Sequence, residues 1–255
     1  MPDIQQLAGI VDTAARDAQA IPQLTAGAAF TLDDAYAIQQ ASIALRLARG
    51  ERRAGLKMGF TSRAKALQMG VHDLIWGRLT DRMMVEDGGS IEFARYVHPR
   101  VEPEIAFLLK APLAGTVTPA QALAAVEAIA PAMEIIDSRF ENFKFSLVDV
   151  VADNSSSSGF VVGPWHRPDI DFSNLGMVLS FDGTPVQIGS SAAILGHPLR
   201  SLVAAARMAA EGGERLEAGW IVMAGGATAA EALRPGLFVE AEVQSLGRVA
   251  FSVKG

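Results

Sequence analysis

Apolar residues recur at Ala35, Ile38, Ala41, Leu45 and Ala48, the spacing of one helix face, and Thr31 or Asp33 stands ahead of them as a cap. The pattern predicts helices over 4–20 and 32–50, so the N-terminal fifth is Ala-rich, amphipathic and helical. After residue 55 the texture changes to short apolar runs broken by Gly, Pro and Asp. These runs predict strands over 56–60, 105–109, 133–136, 159–162, 177–181, 184–188, 220–223, 237–243 and 249–253. Asp182-Gly183, between two of them, is a hairpin turn signal. Further helices are expected over 62–69 (ending at Gly70), over 119–129 with Thr118 as cap, and over 199–211 before Gly212-Gly213. Short strands outnumber helices and lack the regular alternation of a doubly wound sheet. The chain therefore reads as α+β: a helical N-terminal segment over 1–54 and a mixed sheet or β-roll core over 55–255.

Composition narrows the chemistry. Half of the 255 residues are hydrophobic, enough to build a core, and there is no Cys. A disulfide framework, a thiolate metal site and a Cys nucleophile are excluded. Acidic residues outnumber Lys plus Arg by 28 to 22, giving a formal net charge of −6 with no long basic run, so nucleic-acid binding is not expected. Asp3, Asp12, Arg16 and Asp17 interrupt the N-terminal region where a signal peptide needs an apolar stretch. No run supplies the roughly 20 continuous apolar residues of a spanning helix. A soluble, cytoplasmic protein without membrane contact is the expectation.

What remains in quantity is carboxylate. In the stretch from His98 to Phe107, Glu102 and Glu104 are two residues apart ahead of an apolar strand, so they share one face. Two readings compete: an exposed strand entry with both Glu in water near Arg95 or Arg100, or a pair neutralised by a cation or proton. Glu134 lies in the apolar run Met133 to Ile136; it reads as a third carboxylate for the same cation, or as half of an ion pair with Arg139 or a Lys. Asp137 and Arg139 offer a loop-positioning salt bridge. Three carboxylates suit a hard divalent ion such as Mg²⁺ or Mn²⁺. Lys57, between Leu56 and Met58, is either an ammonium in a pocket or a snorkelling edge residue. Val151 to Ser156 is a polar stretch between apolar runs, fit to hold an α-oxo acid or to make an ordinary turn. Gly225-Gly226 permits close backbone approach, and Thr228 adds a hydroxyl. His72, His166 and His197 read as structural, and His98 as a group that supports the carboxylates or packs locally.

Lys57 to Ser62, His98 to Glu104, Glu134 to Arg139, Val151 to Ser156, Leu195 to Pro198 and Gly225 to Thr228 follow one another in a familiar order. From about residue 30 to the C-terminus the chain resembles the 2-keto-4-pentenoate hydratase and 4-oxalocrotonate decarboxylase family, within the fumarylacetoacetate hydrolase-like group. The resemblance implies a mixed β-roll core of that type and a Mg²⁺ or Mn²⁺ site at Glu102, Glu104 and Glu134. It also implies Lys57 beside the substrate, with Ser155 and Thr228 lining a 2-oxo acid pocket.

Two activities divide that family. The stretch Asp137 to Phe145 looks like the decarboxylase branch, and Ile75 stands before Trp76-Gly77 where hydratase relatives tend to carry an acid. Adding water needs a proton acceptor, so the resemblance favours metal-dependent decarboxylation of 2-oxohex-3-enedioate to 2-hydroxypenta-2,4-dienoate. The alternatives are the hydratase itself and a non-catalytic subunit that binds small acids. Self-association and a complex with a companion hydratase are the implied partnerships.

Overall fold

The computed structural model describes residues 2–62 and 74–255. Apart from Ser62, the helix expected over 62–69 lies outside the described residues, as does His72. The N-terminal helices are present as α1 (Ile4–Asp17) and α2 (Leu32–Ala48). The Asp3 side chain caps α1 by accepting from the Gln6 N–H, and a left-handed Ala18 (φ 51°) ends it. On α2 the cap is Thr31, with Asp34 completing a reciprocal capping box. Among the described residues three more α-helices follow: α3 (Pro119–Ala124), α4 (Leu147–Ala152) and α5 (Pro198–Glu211).

The strands are β1 (Arg53–Gly59), β2 (Ile75–Thr80), β3 (Met84–Val85), β4 (Ser90–Glu92), β5 (Arg100–Leu109), β6 (Val126–Ile136) and β7 (Ser157–Val162). They continue as β8 (Gly176–Phe181), β9 (Thr184–Ser190), β10 (Ile221–Met223), β11 (Glu231–Ala232), β12 (Phe238–Val243) and β13 (Gly247–Lys254). Among the described residues one mixed sheet runs β2-β1-β10-β5-β6-β7-β3, with β11 also on β5. A second runs β4-β13-β12-β8-β9. The β8–β9 turn is the expected one, with Asp182 and Gly183 both at positive φ (50° and 76°).

The expected helix over 119–129 is shorter. Thr118 and Gln121 form its capping box, but α3 stops at Ala124, and the following residues open β6. The long strand β5 needs an antiparallel partner, and the ladder pairs Phe107 with Ile129 and Leu109 with Val126. Val126 and Ile129 are wholly buried there. Burying each is worth about 1.5–3 kcal/mol, more than the small propensity cost of leaving a helix.

Alternate residues of β5 and β6 face opposite ways. Val101, Met133 and Ile135 point to the second sheet, where they meet Leu179, Val239, Ala241 and Phe251. Ala106 and Ala132 point to the other side, into a cluster with Phe160 and Met223. That second face carries the functional site. The N-terminal helices close one flank of it: Leu7, Val11 and Ile38 pack with Ile75, Phe140, Val150 and Val151. Among the described residues no helix is long and apolar enough to cross a membrane.

Gly55 faces Ile221 in the parallel β1–β10 pairing, and a Cβ there would stand 1.8 Å from the Ile221 carbonyl oxygen. Gly55→Ala should therefore destabilise the protein by about 3 kcal/mol or more in urea unfolding. Gly9→Ala, in α1 with nothing within 4 Å of the new methyl, should be neutral or stabilising by up to about 1 kcal/mol.

Candidate active site of buried carboxylates and a lysine

The pairing of β5 with β6 sets Glu102 directly across from Glu134, and Glu104 across from Ala132. Directly opposed residues share a face, so Glu102, Glu104 and Glu134 project together. Glu104 and Glu134 are almost fully buried, at 0% and 1% exposure. Lys57 arrives from β1, which is separated from β5 by β10: Lys57 pairs with Met223, and Met223 with Ala106. Its ammonium donates to Glu134 Oε2 at 3.2 Å. The sequence left open an ion pair between Glu134 and Arg139; the partner is Lys57, and Arg139 instead grips Asp153.

The Gly225-Gly226 pair lies against these carboxylates. The Gly225 N–H donates to Glu104 Oε2 at 2.7 Å. A Cβ on Gly226 would stand 1.8 Å from Glu102 Oε2, so only a bare backbone fits. Even so, Glu104 Oε1 and Glu134 Oε1 are buried with no hydrogen-bond partner among the described residues. Burial pushes the Glu104 carboxyl well above the usual range, reinforced by the charges of Glu134 and Glu102. Burial also raises Glu134, against the opposing pull of Lys57. Among the described residues, Lys57 is the cation that bonds this buried pair.

A cavity of about 480 Å³ opens on this face, lined among others by Lys57, Glu102, Glu134, Arg100, Ile75, Ser155 and Ser156. Ser155 lies in a left-handed stretch, Asn154 to Ser156, with φ between 48° and 58°. Its hydroxyl donates to the Trp76 carbonyl at 2.8 Å. The Asn154 amide brackets Arg78, accepting from its N–H at 2.8 Å and donating to its carbonyl at 3.0 Å. Gly77 permits this approach, since a Cβ would lie 2.6 Å from the Asn154 carbonyl oxygen. Ser156 Oγ is buried without a partner and faces the cavity region. The sequence marked the stretch but not this residue; no signal in it separates four adjacent serines. Thr228 is buried with its hydroxyl donating to the Ala229 carbonyl at 3.0 Å and is not among the cavity-lining residues, whereas Gly226, Ala229 and Ala230 are.

Among the described residues no three acidic or histidine side chains converge as a ready coordination cage. The donor chemistry nevertheless fits a hard cation: carboxylate oxygens, two of them buried without a hydrogen-bond partner among the described residues, in surroundings that disfavour their charge. His98 packs at a tilt against Phe143, with ring centroids 5.2 Å apart. His166 and His197 are structural, bonding the Leu246 carbonyl and capping α5.

Residues 61–254 match the model of the fumarylacetoacetate (FAA) hydrolase C-terminal family. The chain belongs to the fumarylacetoacetate hydrolase family. Within it, the chain is 64% identical over 252 residues to a 4-oxalocrotonate decarboxylase from a Pseudomonas species, covering 99% of this chain and 98% of that protein. It is 38% identical to a 2-keto-4-pentenoate hydratase from Paraburkholderia xenovorans (strain LB400), over 86% of this chain and 82% of the hydratase. The structure superposes with a TM-score of 0.95 on 4-oxalocrotonate decarboxylase from Pseudomonas putida G7, complexed with magnesium and adipate. That pair is 39% identical, with 98% of this chain and 97% of the other covered. The α+β roll with N-terminal helices read from the sequence is thus the fold of this fumarylacetoacetate hydrolase relative.

Behind the cavity, Arg139 donates to the Asp153 carboxylate and to Ser158 Oγ, tying the end of β6 to the turn that carries Ser155. Burial outweighs Arg139 and raises the Asp153 carboxyl to about 6. An unfolded Asp titrates near 4, so between about pH 4 and 6 the native state holds the extra proton. The unfolded state binds fewer protons there, and the stability from this group falls as pH rises through that window, by at most about 3 kcal/mol. Carbon-detected NMR titration should find Asp153 near pH 6, and Asp153→Asn should remove that slope from urea unfolding. A midpoint at 4 or below contradicts the assignment.

Proposed function

We propose that the protein is a divalent-cation-dependent decarboxylase of 2-oxohex-3-enedioate, releasing CO₂ and 2-hydroxypenta-2,4-dienoate. The observation that carries this is the pair of buried carboxylates, Glu104 and Glu134, each with one oxygen that has no hydrogen-bond partner among the described residues, with Glu134 bonded to Lys57 where both line the cavity. The 64% identity to a protein named 4-oxalocrotonate decarboxylase supports the same reading. Glu102, Glu104 and Glu134 would hold Mg²⁺ or Mn²⁺, which relieves the cost of burying their charge. When bound, the cation supplies positive charge for the C1 carboxylate and the 2-oxo oxygen.

The remaining work falls to the protein. The C5–C6 bond breaks and its electron pair moves through the C3–C4 double bond onto the 2-oxo oxygen, while C6 leaves as CO₂. Lys57 delivers the proton that completes the 2-hydroxyl group. Ser156 donates its unused hydroxyl to the acid, and Ser155 and Thr228 fix the backbone on either side. Ile75, Val150 and Phe145 line the cavity with hydrocarbon and hold water away from the dienolate. Ile75 bears on the hydratase reading, because it lines the cavity without the proton acceptor that water addition needs. Self-association and docking to a companion hydratase belong to the same proposal.

Pure protein with Mg²⁺ should release CO₂ from 2-oxohex-3-enedioate and leave 2-hydroxypenta-2,4-dienoate unhydrated. The reverse result makes it a hydratase, and silence on both substrates makes it a binding subunit. Glu102→Gln and Glu134→Gln should each cut Mg²⁺ affinity and turnover by about 100-fold or more, read by calorimetry and CO₂ release.

A further inference from the structure

Arg100 stands two residues ahead of Glu102 on β5, on the face that carries the carboxylates, and lines the same cavity. Its surroundings differ from those of the other sheltered arginines. Arg46, Arg53, Arg78 and Arg139 each rest on a carboxylate. Among the described residues no carboxylate pairs with Arg100; its guanidinium lies instead over the Phe143 ring, 4.5 Å from the centroid. That ring is presented by left-handed backbone at Asn142 and Phe143 (φ 59° and 55°) and is backed by His98 and Phe145. A guanidinium held by its face keeps its edge donors free, and that edge fits a carboxylate bidentately.

The backbone spacing between Arg100 and Glu102 sets a length scale. Two residues along a strand cover about 7 Å. The end carbons of an extended six-carbon dicarboxylic acid are about 6 Å apart by ordinary bond lengths. We propose that Arg100 binds the second carboxylate of a dicarboxylic 2-oxo acid whose first carboxylate lies at the Glu102, Glu104 and Glu134 end, and so selects dicarboxylic over monocarboxylic substrates. This rests on the reading above only in taking the 2-oxo acid head to sit at the carboxylate end. Arg100 holds the group that departs. A carboxylate is an anion and CO₂ is neutral, so the contact weakens as the C–C bond breaks and contributes more to substrate than to transition-state binding.

The test uses adipate and hexanoate, unreactive six-carbon acids that differ by one carboxylate, titrated calorimetrically into the Mg²⁺-loaded protein. The wild type should bind adipate about tenfold tighter than hexanoate. Arg100→Met should weaken adipate about tenfold and leave hexanoate unchanged, while Arg100→Lys should keep part of the preference. With 2-oxohex-3-enedioate, Arg100→Met should raise KM about tenfold without lowering kcat. Equal binding of the two acids by the wild type, a preference that survives Arg100→Met, or a fall in kcat at constant KM overturns the proposal. Loss of the preference in Arg100→Met from a wild type that releases no CO₂ leaves Arg100 assigned and removes the decarboxylase reading. CO₂ release with the preference intact in Arg100→Met does the reverse.

Discussion

Glu102 stands across from Glu134 because β5 and β6 pair continuously from Arg100 with Ile136 down to Phe107 with Ile129. Side chains alternate along both strands, so a slip of one residue on β6 would turn Glu134 toward the second sheet and bring Met133 or Ile135 into the site. The apolar residues of the opposite face prevent it. Val101, Met133 and Ile135 are wholly buried against Leu179, Val239 and Phe251, and a slipped register would expose them to the carboxylates. The greasy side of the ladder thus fixes where its charged side points. Electrostatics alone would disperse the acidic groups; hydrophobic burial holds them together.

Backbone approach completes the arrangement. At Gly77, Gly225 and Gly226 a methyl group would collide with Asn154, Thr61 or Glu102 respectively. The walls of the cavity are therefore main chain as much as side chain. The left-handed run Asn154 to Ser156 is a costly conformation for residues with a Cβ. It is held by the Asn154 bracket on Arg78, by Ser155 on Trp76, and by Arg139 on Asp153. The first two contacts reach from the turn to strand β2, and the third to the segment that follows β6.

Local signals were readable in the chain; contacts made at long range were not. The Asp182-Gly183 turn and the Thr31 cap are decided by neighbours in sequence and lie where their residues indicate. Spacing alone leaves Glu102 and Glu104 open to an exposed strand entry and Glu134 to an ion pair; the structure buries Glu104 and Glu134 and leaves Glu102 half-buried, a difference set by the strands packed around them. The end of α3 is different. Residues 126–129 continue the helical pattern, and pairing with β5 takes them into a strand. Strand β2 was unreadable for a similar reason: Arg78 is sheltered within it because Glu214, 136 residues away, accepts its charge. The hydroxyls of Ser155 and Thr228 look alike in sequence to that of Ser156. Which one is free depends on where the Trp76 and Ala229 carbonyls fall.

The position of β10 sets an order of assembly. It is a three-residue strand from the last fifth of the chain, and it lies between β1, which brings Lys57, and β5, which brings Glu102 and Glu104. The hairpin of β5 and β6 is local and has all its residues in hand once Ile136 is made. Lys57 emerges earlier than either strand, yet it has no sheet position beside them until residues 221–223 are synthesised. During synthesis the β5–β6 carboxylates therefore precede the docking of Lys57 beside Glu134, and a nascent chain carries a half-built sheet. The ammonium that neutralises Glu134 is the oldest part of the site in the chain and the last to arrive in space.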